Sequence, residues 1–141
     1  SKADEVKALG ADRVIDRDAD LARELGPNSL DVVIDMVGGP QVSTLLSCLL
    51  PGGRFAIAGA IAAPLAEVDL RTLYLKDLTL FGCTFQEDAV FENLIRYIEA
   101  GEIRPILART YPLSDIVQAQ KDFLSKAHVG KLVLIPPGDA P

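Results

Sequence analysis

Two short segments that contain glycine have the residue types and spacing of a binding site, and each of them directly follows an apolar run. Gly38 and Gly39 follow the run "DVVIDMV", and Gly59 lies between two alanines after "RFAI". Small residues let a backbone approach a flat ligand, and glycines equally serve turns that need positive φ. Ligands of parallel α/β sheets bind where strands end. The first candidate ligand is therefore a dinucleotide, with contacts expected at Val37, Gly38, Gly39, Ala58, Gly59 and Ala60.

The other reactive side chains form no recognisable catalytic arrangement. Ser43, Ser47 and Ser125 lie within helical patterns, and His128 is the only histidine, so neither a nucleophile triad nor a metal site is predicted. Asp31 and Asp35 alternate with apolar residues and do not resemble an acid/base pair. We therefore assign no catalytic residue.

The two cysteines, Cys48 and Cys83, lie in apolar surroundings without a CxxC motif. This pattern favours reduced core thiols over a zinc site or a disulfide.

Composition bounds the class of protein. The chain has 141 residues, 49% of them hydrophobic and 24% charged, which is typical of one globular domain. The net charge of −6 disfavours a nucleic-acid partner. The longest apolar stretch, residues 55–68, is shorter than the about 20 residues that span a bilayer. With no signal-peptide pattern either, we expect a cytoplasmic protein without membrane contact.

Hydrophobic periodicity predicts alternating helices and strands. Strands are expected at 13–16, 31–36, 54–59, 78–83, 106–110 and 131–135. Helices are expected to end at Gly10, Gly26, Pro51 and Gly101, with a short helical turn inside the loop 60–77. Ser1 is expected to cap the first helix and Ser114 the last. No repeat or linker interrupts the chain, so residues 1–136 are predicted to form one domain and 137–141 a flexible tail.

The helix patterns also predict which faces are apolar. For the helix after Pro40, the inward residues are Val42, Leu45, Leu46 and Leu49. The helix before Gly101 carries one apolar stripe, formed by Val90, Phe91, Leu94, Ile95 and Ile98. For the last helix, the inward residues are Ile116, Val117, Phe123 and Leu124. Asp31–Met36 is expected to be a central strand, buried on both faces.

Five motifs share their order and spacing with a known family. They are "KALGADRVIDRDAD", "DVVIDMVGG", "LLPGGRFAIAGA", "LTLFGCTF" and "HVGKLVLIP". Together they resemble the C-terminal part of medium-chain dehydrogenases/reductases, closest to the zinc-independent quinone oxidoreductase branch. The resemblance implies a Rossmann-like parallel sheet with flanking helices, truncated at its N-terminal βαβ unit. It also implies NADP(H) as the hydride donor and quinones or α,β-unsaturated ketones as substrates.

In that family, the glycine-rich pyrophosphate turn and a catalytic domain precede the region that this chain matches. The sequence itself contains no G-x-G-x-x-G motif. We therefore expect the chain alone to bind NADPH weakly or not at all and to be inactive. The alternative function is a non-catalytic, self-associating α/β module without a competent cofactor site.

Further site residues follow from the resemblance. Lys2 and Arg17 occupy positions where related enzymes hold the adenosine 2′-phosphate, although two solvated surface cations would give the same pattern. Lys131 belongs to a glycine-lysine pair near the cofactor cleft, with a surface ion pair as the alternative. The segment 81–85 ends a strand where substrate or subunit contacts cluster, with ordinary packing as the alternative.

The resemblance finally predicts an incomplete sheet. In the strand order 3-2-1-4-5-6, the strands at Arg13 and Asp31 would each lack a neighbour. Soluble proteins avoid exposed edges of this kind. We expect the edge to be covered by a homodimer, by a strand from another chain, or by re-pairing within the chain.

Overall fold

The computed structural model describes residues 2–138, which contain six α-helices and five β-strands. In chain order they are α1 (Lys2–Ala8), α2 (Leu21–Leu25), β1 (Leu30–Asp35), α3 (Gln41–Cys48), β2 (Leu49–Ile57), α4 (Leu70–Leu75), β3 (Thr79–Gly82), α5 (Asp88–Glu99), β4 (Leu107–Pro112), α6 (Ile116–Ser125) and β5 (Lys131–Ile135). The strands form two parallel sheets, ordered β1-β2-β3 and β4-β5. The predicted α/β class with parallel strands and flanking helices is confirmed.

The chain divides into two compact units. The middle unit comprises Ile15–Phe85 and contains the three-stranded sheet. The terminal unit combines the described residues 2–14 and 86–138 and contains the β4-β5 pair. The assignment of residues 1–136 to a single nucleotide-binding domain stays a prediction.

The core of the middle unit lies between α3 and the sheet. Phe55 of β2 is fully buried and packs with Val33 of β1 and with the apolar face of α3. Three predicted inward residues of α3 are confirmed, because Val42 and Leu46 are buried and Leu45 packs against them, whereas Leu49 is buried but begins β2 and is not part of the helix. Burial of these side chains is the main source of stability of this unit.

The loop 60–77 contains α4, as expected, and a lysine joins it to α3. Lys76 donates from Nζ to the carbonyl oxygens of Ser47 (2.7 Å) and Leu49 (2.9 Å), and its own carbonyl accepts from Gly52 N (2.7 Å). The two bonds from Nζ satisfy carbonyl groups at the C-terminal end of α3, where a cation is favoured.

The prediction of a doubly buried strand at Asp31–Met36 is wrong in one respect. β1 pairs only with β2, in parallel, and therefore lies at the edge of the sheet. Its side chains alternate, so that Val33 and Asp35 are buried whereas Ile34 is 70% exposed. The described residues provide no strand at the outer edge of β1, so pairing within them does not cover it. Pairing with another chain stays a prediction.

The predicted strand at residues 13–16 is not formed. A strand exists only where a neighbour completes its hydrogen bonds, and none of the strands within residues 2–138 aligns with this segment. The apolar residues Val14 and Ile15 fit a strand, but propensity without a partner does not make one.

In the terminal unit, two expectations for α6 are wrong. Its predicted inward residues are exposed, with Leu124 at 72%, whereas Ala119 is buried. Asp122 on the same helix bonds to the β4 residues Tyr111 and Arg109, so α6 turns a small and polar side toward that strand. Ser114 does not cap the helix either, because a 3₁₀ turn at Leu113–Asp115 precedes α6 and its N-cap position is Asp115.

The apolar stripe of α5 is formed on a regular helix, yet four of its residues remain exposed: Val90, Phe91, Leu94 and Ile95.

Gly10 has a φ of +106°, which agrees with its predicted role at the end of α1. The Ser1 cap lies outside the described residues, and so does most of the tail predicted at 137–141.

Candidate functional site

The carboxyl ends of the three strands in the middle unit align at one edge of the sheet. Asp35 of β1 pairs with Ile57 of β2, and Ile57 pairs with Gly82 of β3. The loops that follow the strands therefore begin side by side. This arrangement brings together the predicted residues Val37, Gly38, Gly39, Ala58, Gly59 and Ala60.

The loops after β1 and β2 continue the parallel pairing beyond the strands. Ala58 N donates to Asp35 O (2.9 Å), and Ala62 N donates to Val37 O (2.8 Å). Gly38 and Ala63 form an isolated parallel bridge further along. The two loops thus form one hydrogen-bonded layer at the edge of the sheet.

Close approach of these loops explains the glycines. A Cβ on Gly59 would lie 2.7 Å from Met36 O, and one on Gly38 would lie 2.8 Å from Ala63 O. Gly38 and Gly39 also have φ values of +66° and +71°, which other residues rarely adopt. The turn that needs positive φ is confirmed, and the space beside Gly38 and Gly59 is filled by the chain itself. Contact of these residues with a cofactor stays a prediction.

Asp35 organises the turn between β1 and α3, residues 36–40. Its side chain is buried, and its carboxylate accepts from Val37 N (2.8 Å), Gly38 N (3.1 Å) and Gln41 Nε2 (3.3 Å). In the sequence, Asp35 was weighed only as an acid/base residue, and this structural role was missed. An aspartate directly before a Gly-Gly turn was the available signal, because such side chains commonly bond backbone amides two residues ahead.

A cavity of about 670 Å³ opens between the ends of β2 and β3. Its lining combines the small residues after β2 with the segment after β3: Ile57, Ala58, Gly59, Ala60, Gly82, Cys83, Thr84 and Phe85. Cys83 is exposed, which contradicts its expected place in the core, and Phe85 is 87% exposed. No carboxylate, histidine, lysine or arginine is part of this lining. The cavity offers backbone groups and apolar surface, which suit the positioning of a flat molecule rather than proton transfer.

The three predicted cations are not part of this cavity. Arg17 belongs to the middle unit and is exposed in the turn that follows residues 13–16. Lys2 and Lys131 belong to the terminal unit, where Lys2 donates from Nζ to Lys126 O and Lys131 begins β5, opposite Leu107. Their roles at a 2′-phosphate or a cofactor cleft stay predictions.

A second polar cluster lies in the terminal unit. The Tyr111 hydroxyl donates to Asp122 Oδ2 (2.5 Å), which also accepts from Arg109 (3.0 Å), and Gln118 donates to the other carboxylate oxygen (2.8 Å). The bond from Tyr111, followed by that from Gln118, lowers the pKa of Asp122, and the same bond to Asp122 raises the pKa of Tyr111. No sequence pattern indicated this cluster.

A metal ion does not fit the described residues. Within residues 2–138, no three histidine, cysteine, aspartate or glutamate side chains converge to form a metal site. Cys48 is buried beside α3, and Cys83 lies at the cavity without a histidine or carboxylate in the lining. We therefore derive no chemistry from zinc.

The length and hydropathy of a helix decide whether it can cross a bilayer. None of those within residues 2–138 is long and apolar enough to cross a bilayer.

Comparison with known proteins identifies relatives along most of the chain. The zinc-binding dehydrogenase family model matches residues 9–134. A quinone oxidoreductase of Lama guanicoe is 30% identical over 82% of this chain and 36% of its own length. An acryloyl-coenzyme A reductase of Metallosphaera sedula is 32% identical over 88% of this chain and 37% of its own length.

Among solved structures, a Sinorhizobium meliloti protein assigned as an alcohol dehydrogenase superposes with a TM-score of 0.82 at 44% identity. The match covers 96% of this chain and 39% of that protein. The chain thus spans little more than a third of the length of the proteins that it matches.

Proposed function

Because this chain belongs to the zinc-binding dehydrogenase family of medium-chain dehydrogenases/reductases, we propose that it is the nucleotide-binding part of an NADPH-dependent oxidoreductase. Its substrates in this proposal are quinones or other small molecules with a carbon–carbon double bond conjugated to a carbonyl group. The quinone oxidoreductase and the acryloyl-coenzyme A reductase among its relatives support this class. A cytoplasmic location is part of the same proposal.

One observation carries the proposal. Three parallel strands end side by side at one edge of the sheet, and a cavity lined by Ala58–Ala60 and by residues 82–85 opens there between the ends of β2 and β3. Strand ends of an α/β sheet are where such proteins bind nucleotides, and the lining has the small side chains that a flat ring requires. NADPH, when bound, supplies the hydride and its two electrons. The residues of this chain would hold and orient the ring, and the proton that completes the reduction after hydride transfer would come from water.

The charged part of the dinucleotide has no comparable place among the described residues. A pyrophosphate is normally held by amides of a glycine-rich turn at a helix N-terminus, and the sequence lacks that motif. We therefore propose that residues 1–141 alone bind NADPH weakly or not at all, and that turnover requires a longer protein. Lys2, Arg17 and Lys131 remain candidates for the phosphate groups.

The alternative is a non-catalytic module that associates through its sheet. The outer edge of β1, which no strand within residues 2–138 pairs with, favours it, because such an edge readily accepts another strand. The filled space beside Gly38 and Gly59 also favours it, since these glycines have a purpose without any ligand. In this alternative the chain forms a homodimer or pairs with another chain.

A titration of residues 1–141 with NADPH, followed by nicotinamide fluorescence, separates the two functions. Saturation in the micromolar range would exclude the module without a cofactor site. A flat titration would restrict the oxidoreductase to a longer protein. Light scattering tests association independently, and a monomer would contradict the module.

A pair of variants tests whether the cavity is the binding site. Thr84→Trp fills the cavity, whereas Thr79→Trp introduces the same side chain at the other end of β3. In a longer protein that contains this chain and binds NADPH, we expect the first variant to abolish that binding and the second to preserve it. Equal effects of the two substitutions would show that the cavity is not the site.

A further inference from the structure

The carboxylate of Asp35 is unusual in its burial. Asp35 is 3% exposed and is the one buried charged residue within residues 2–138. Removing a carboxylate from water costs several kcal/mol unless donors replace the water. Three donors do so, namely the backbone N–H groups of Val37 and Gly38 and the side-chain amide of Gln41. The carboxylate and these donors therefore stabilise one another.

The donors fix the conformation of the turn after β1. Val37 N–H and Gly38 N–H point back at the carboxylate, and the chain continues from Gly38 with a positive φ. The carbonyl groups of Met36 and Val37 are then free to accept from the loop after β2, at Ile61 N (3.3 Å) and Ala62 N (2.8 Å). Asp35 thus holds the first loop directly and the second loop through it.

Asp16, an exposed aspartate of the same unit, can be compared with the buried Asp35. Asp16 accepts from Asp18 N at 3.0 Å, with the same two-residue spacing, but its bond lies in solvent. Water can replace that bond at little cost, whereas the bond from Gly38 N to Asp35 is buried and those from Val37 N and Gln41 Nε2 are partly buried, so their loss is more costly. Both carboxylates accept a hydrogen bond from the backbone N–H two residues ahead, but only the side chain of Asp35 is buried.

We infer that Asp35 is a positioning residue of the candidate site, which orders both loops and occupies the amide donors of the turn. An occupied donor is not available to a phosphate, and the negative charge of the carboxylate repels one. The turn therefore accepts only an uncharged part of a ligand, such as a ribose hydroxyl or a carboxamide. The identity of that ligand rests on the proposed function, whereas the ordering of the loops does not.

Amide hydrogen exchange of residues 1–141, resolved by NMR, tests the inference. In the wild-type chain, Val37 and Gly38 should exchange roughly tenfold or more slowly than Asp18. Asp35→Asn removes the negative charge and places an amide nitrogen where Oδ2 accepts from Gly38 N–H, so exchange at Val37, Gly38 and Ala62 should accelerate roughly tenfold or more, with Phe55 unchanged. Asp16→Asn, the matched control, should leave these rates unchanged. Unchanged rates in Asp35→Asn, or equal acceleration at Phe55, would overturn the inference.

Two further measurements cover the case in which Asp35→Asn does not fold. Gln41→Ala removes one donor and keeps the carboxylate, so a smaller acceleration at Val37 and Gly38 is expected. In Asp35→Ala, formate should restore slow exchange at these amides, because it supplies the missing carboxylate, whereas chloride should not. Wild-type rates in Gln41→Ala, together with equal effects of formate and chloride, would count against a positioning role.

Adding NADPH or inorganic phosphate to the same samples distinguishes the inference from the proposed function. Phosphate should not shift the Val37 and Gly38 amides of the wild-type chain, and a specific shift would overturn the claim that the donors are occupied. If Asp35→Asn opens the turn but no longer protein containing the chain binds NADPH, the function fails and the positioning role stands. If NADPH binds at the turn and Asp35→Asn leaves it closed, the positioning role fails alone.

Discussion

The two units of this protein achieve order by different means. In the middle unit, Phe55, Leu46 and Leu49 are almost completely buried among other apolar side chains. In the terminal unit, the buried side chains within residues 2–138 are Ala119 and Tyr111, and the latter bonds to Asp122. One unit depends on apolar packing, and the other places a polar network between a helix and its strand. The candidate site lies on the packed unit, where loops are held most firmly.

Removing the central aromatic ring should have the largest effect. Phe55→Ala leaves a cavity in the core of the middle unit and should lower its free energy of unfolding by about 4 kcal/mol. Urea denaturation followed by circular dichroism measures the change. Phe85→Ala, at a mostly exposed phenylalanine of the same unit, should cost less than about 0.5 kcal/mol.

The same variant also tests the independence of the units. If they are independent, amide protection in Phe55→Ala is lost in the middle unit and retained in β4 and β5. Simultaneous loss in both would instead support the single domain predicted from the sequence.

A methyl group at the loop layer should have an intermediate effect. Gly59→Ala places a Cβ 2.7 Å from Met36 O, and backbone cannot move aside cheaply, so a loss of about 1–3 kcal/mol is expected. Gly82→Ala is the matched control, because a Cβ there meets no atom within 4 Å. Equal stability of the two variants in thermal denaturation would show that the loops after β1 and β2 are not closely packed.

The smallest effect is expected in the polar network, and it should depend on pH. Tyr111→Phe removes the hydroxyl that bonds to Asp122 and should lower stability modestly at pH 7. The pKa of Asp122 is lowered in the folded protein, so the stabilisation is present above the ordinary pKa of about 4 and is lost as the pH falls through the lowered value. The difference in denaturation midpoint between wild type and Tyr111→Phe should therefore shrink below about pH 4. A difference that stays constant from strongly acidic to neutral pH would exclude this linkage.

Local patterns predicted much of the fold. The apolar runs before Gly38 and Gly59 are strands, and Val42, Leu46 and Leu49 face the core. These features depend on the residues themselves and on their period, which a sequence displays directly. The family resemblance, carried by five motifs in order, is likewise confirmed by the match over residues 9–134.

The predictions that proved wrong concern segments whose structure depends on contacts with another segment of the chain. Residues 13–16 have the composition of a strand but no strand beside them among the described residues. The inward side of α6 was assigned to large apolar residues such as Leu124, yet the bond between Asp122 and Tyr111 selects a polar side. Contacts between segments distant in sequence are not visible in the period of either segment.

In the candidate site, likewise, the sequence predicted some features, and others depend on contacts in the folded chain. The positions of its glycines and alanines after strands predicted a turn with positive φ, but not the close approach of the two loops at Gly38 and Gly59. A glycine that admits a ligand and one that admits Met36 O look identical in a sequence. Asp35 was likewise visible as a residue type, whereas its burial and its three donors appear only in the folded chain.

The continued pairing of the two loops after β1 and β2 has one more consequence. Because Ala62 N–H bonds to Val37 O and Gly38 pairs with Ala63, neither loop can shift without carrying the other. A small molecule that docks on this edge of the sheet meets a rigid surface rather than two independently moving segments. Little conformational entropy is then left to lose on association, so even a modest contact area translates efficiently into affinity.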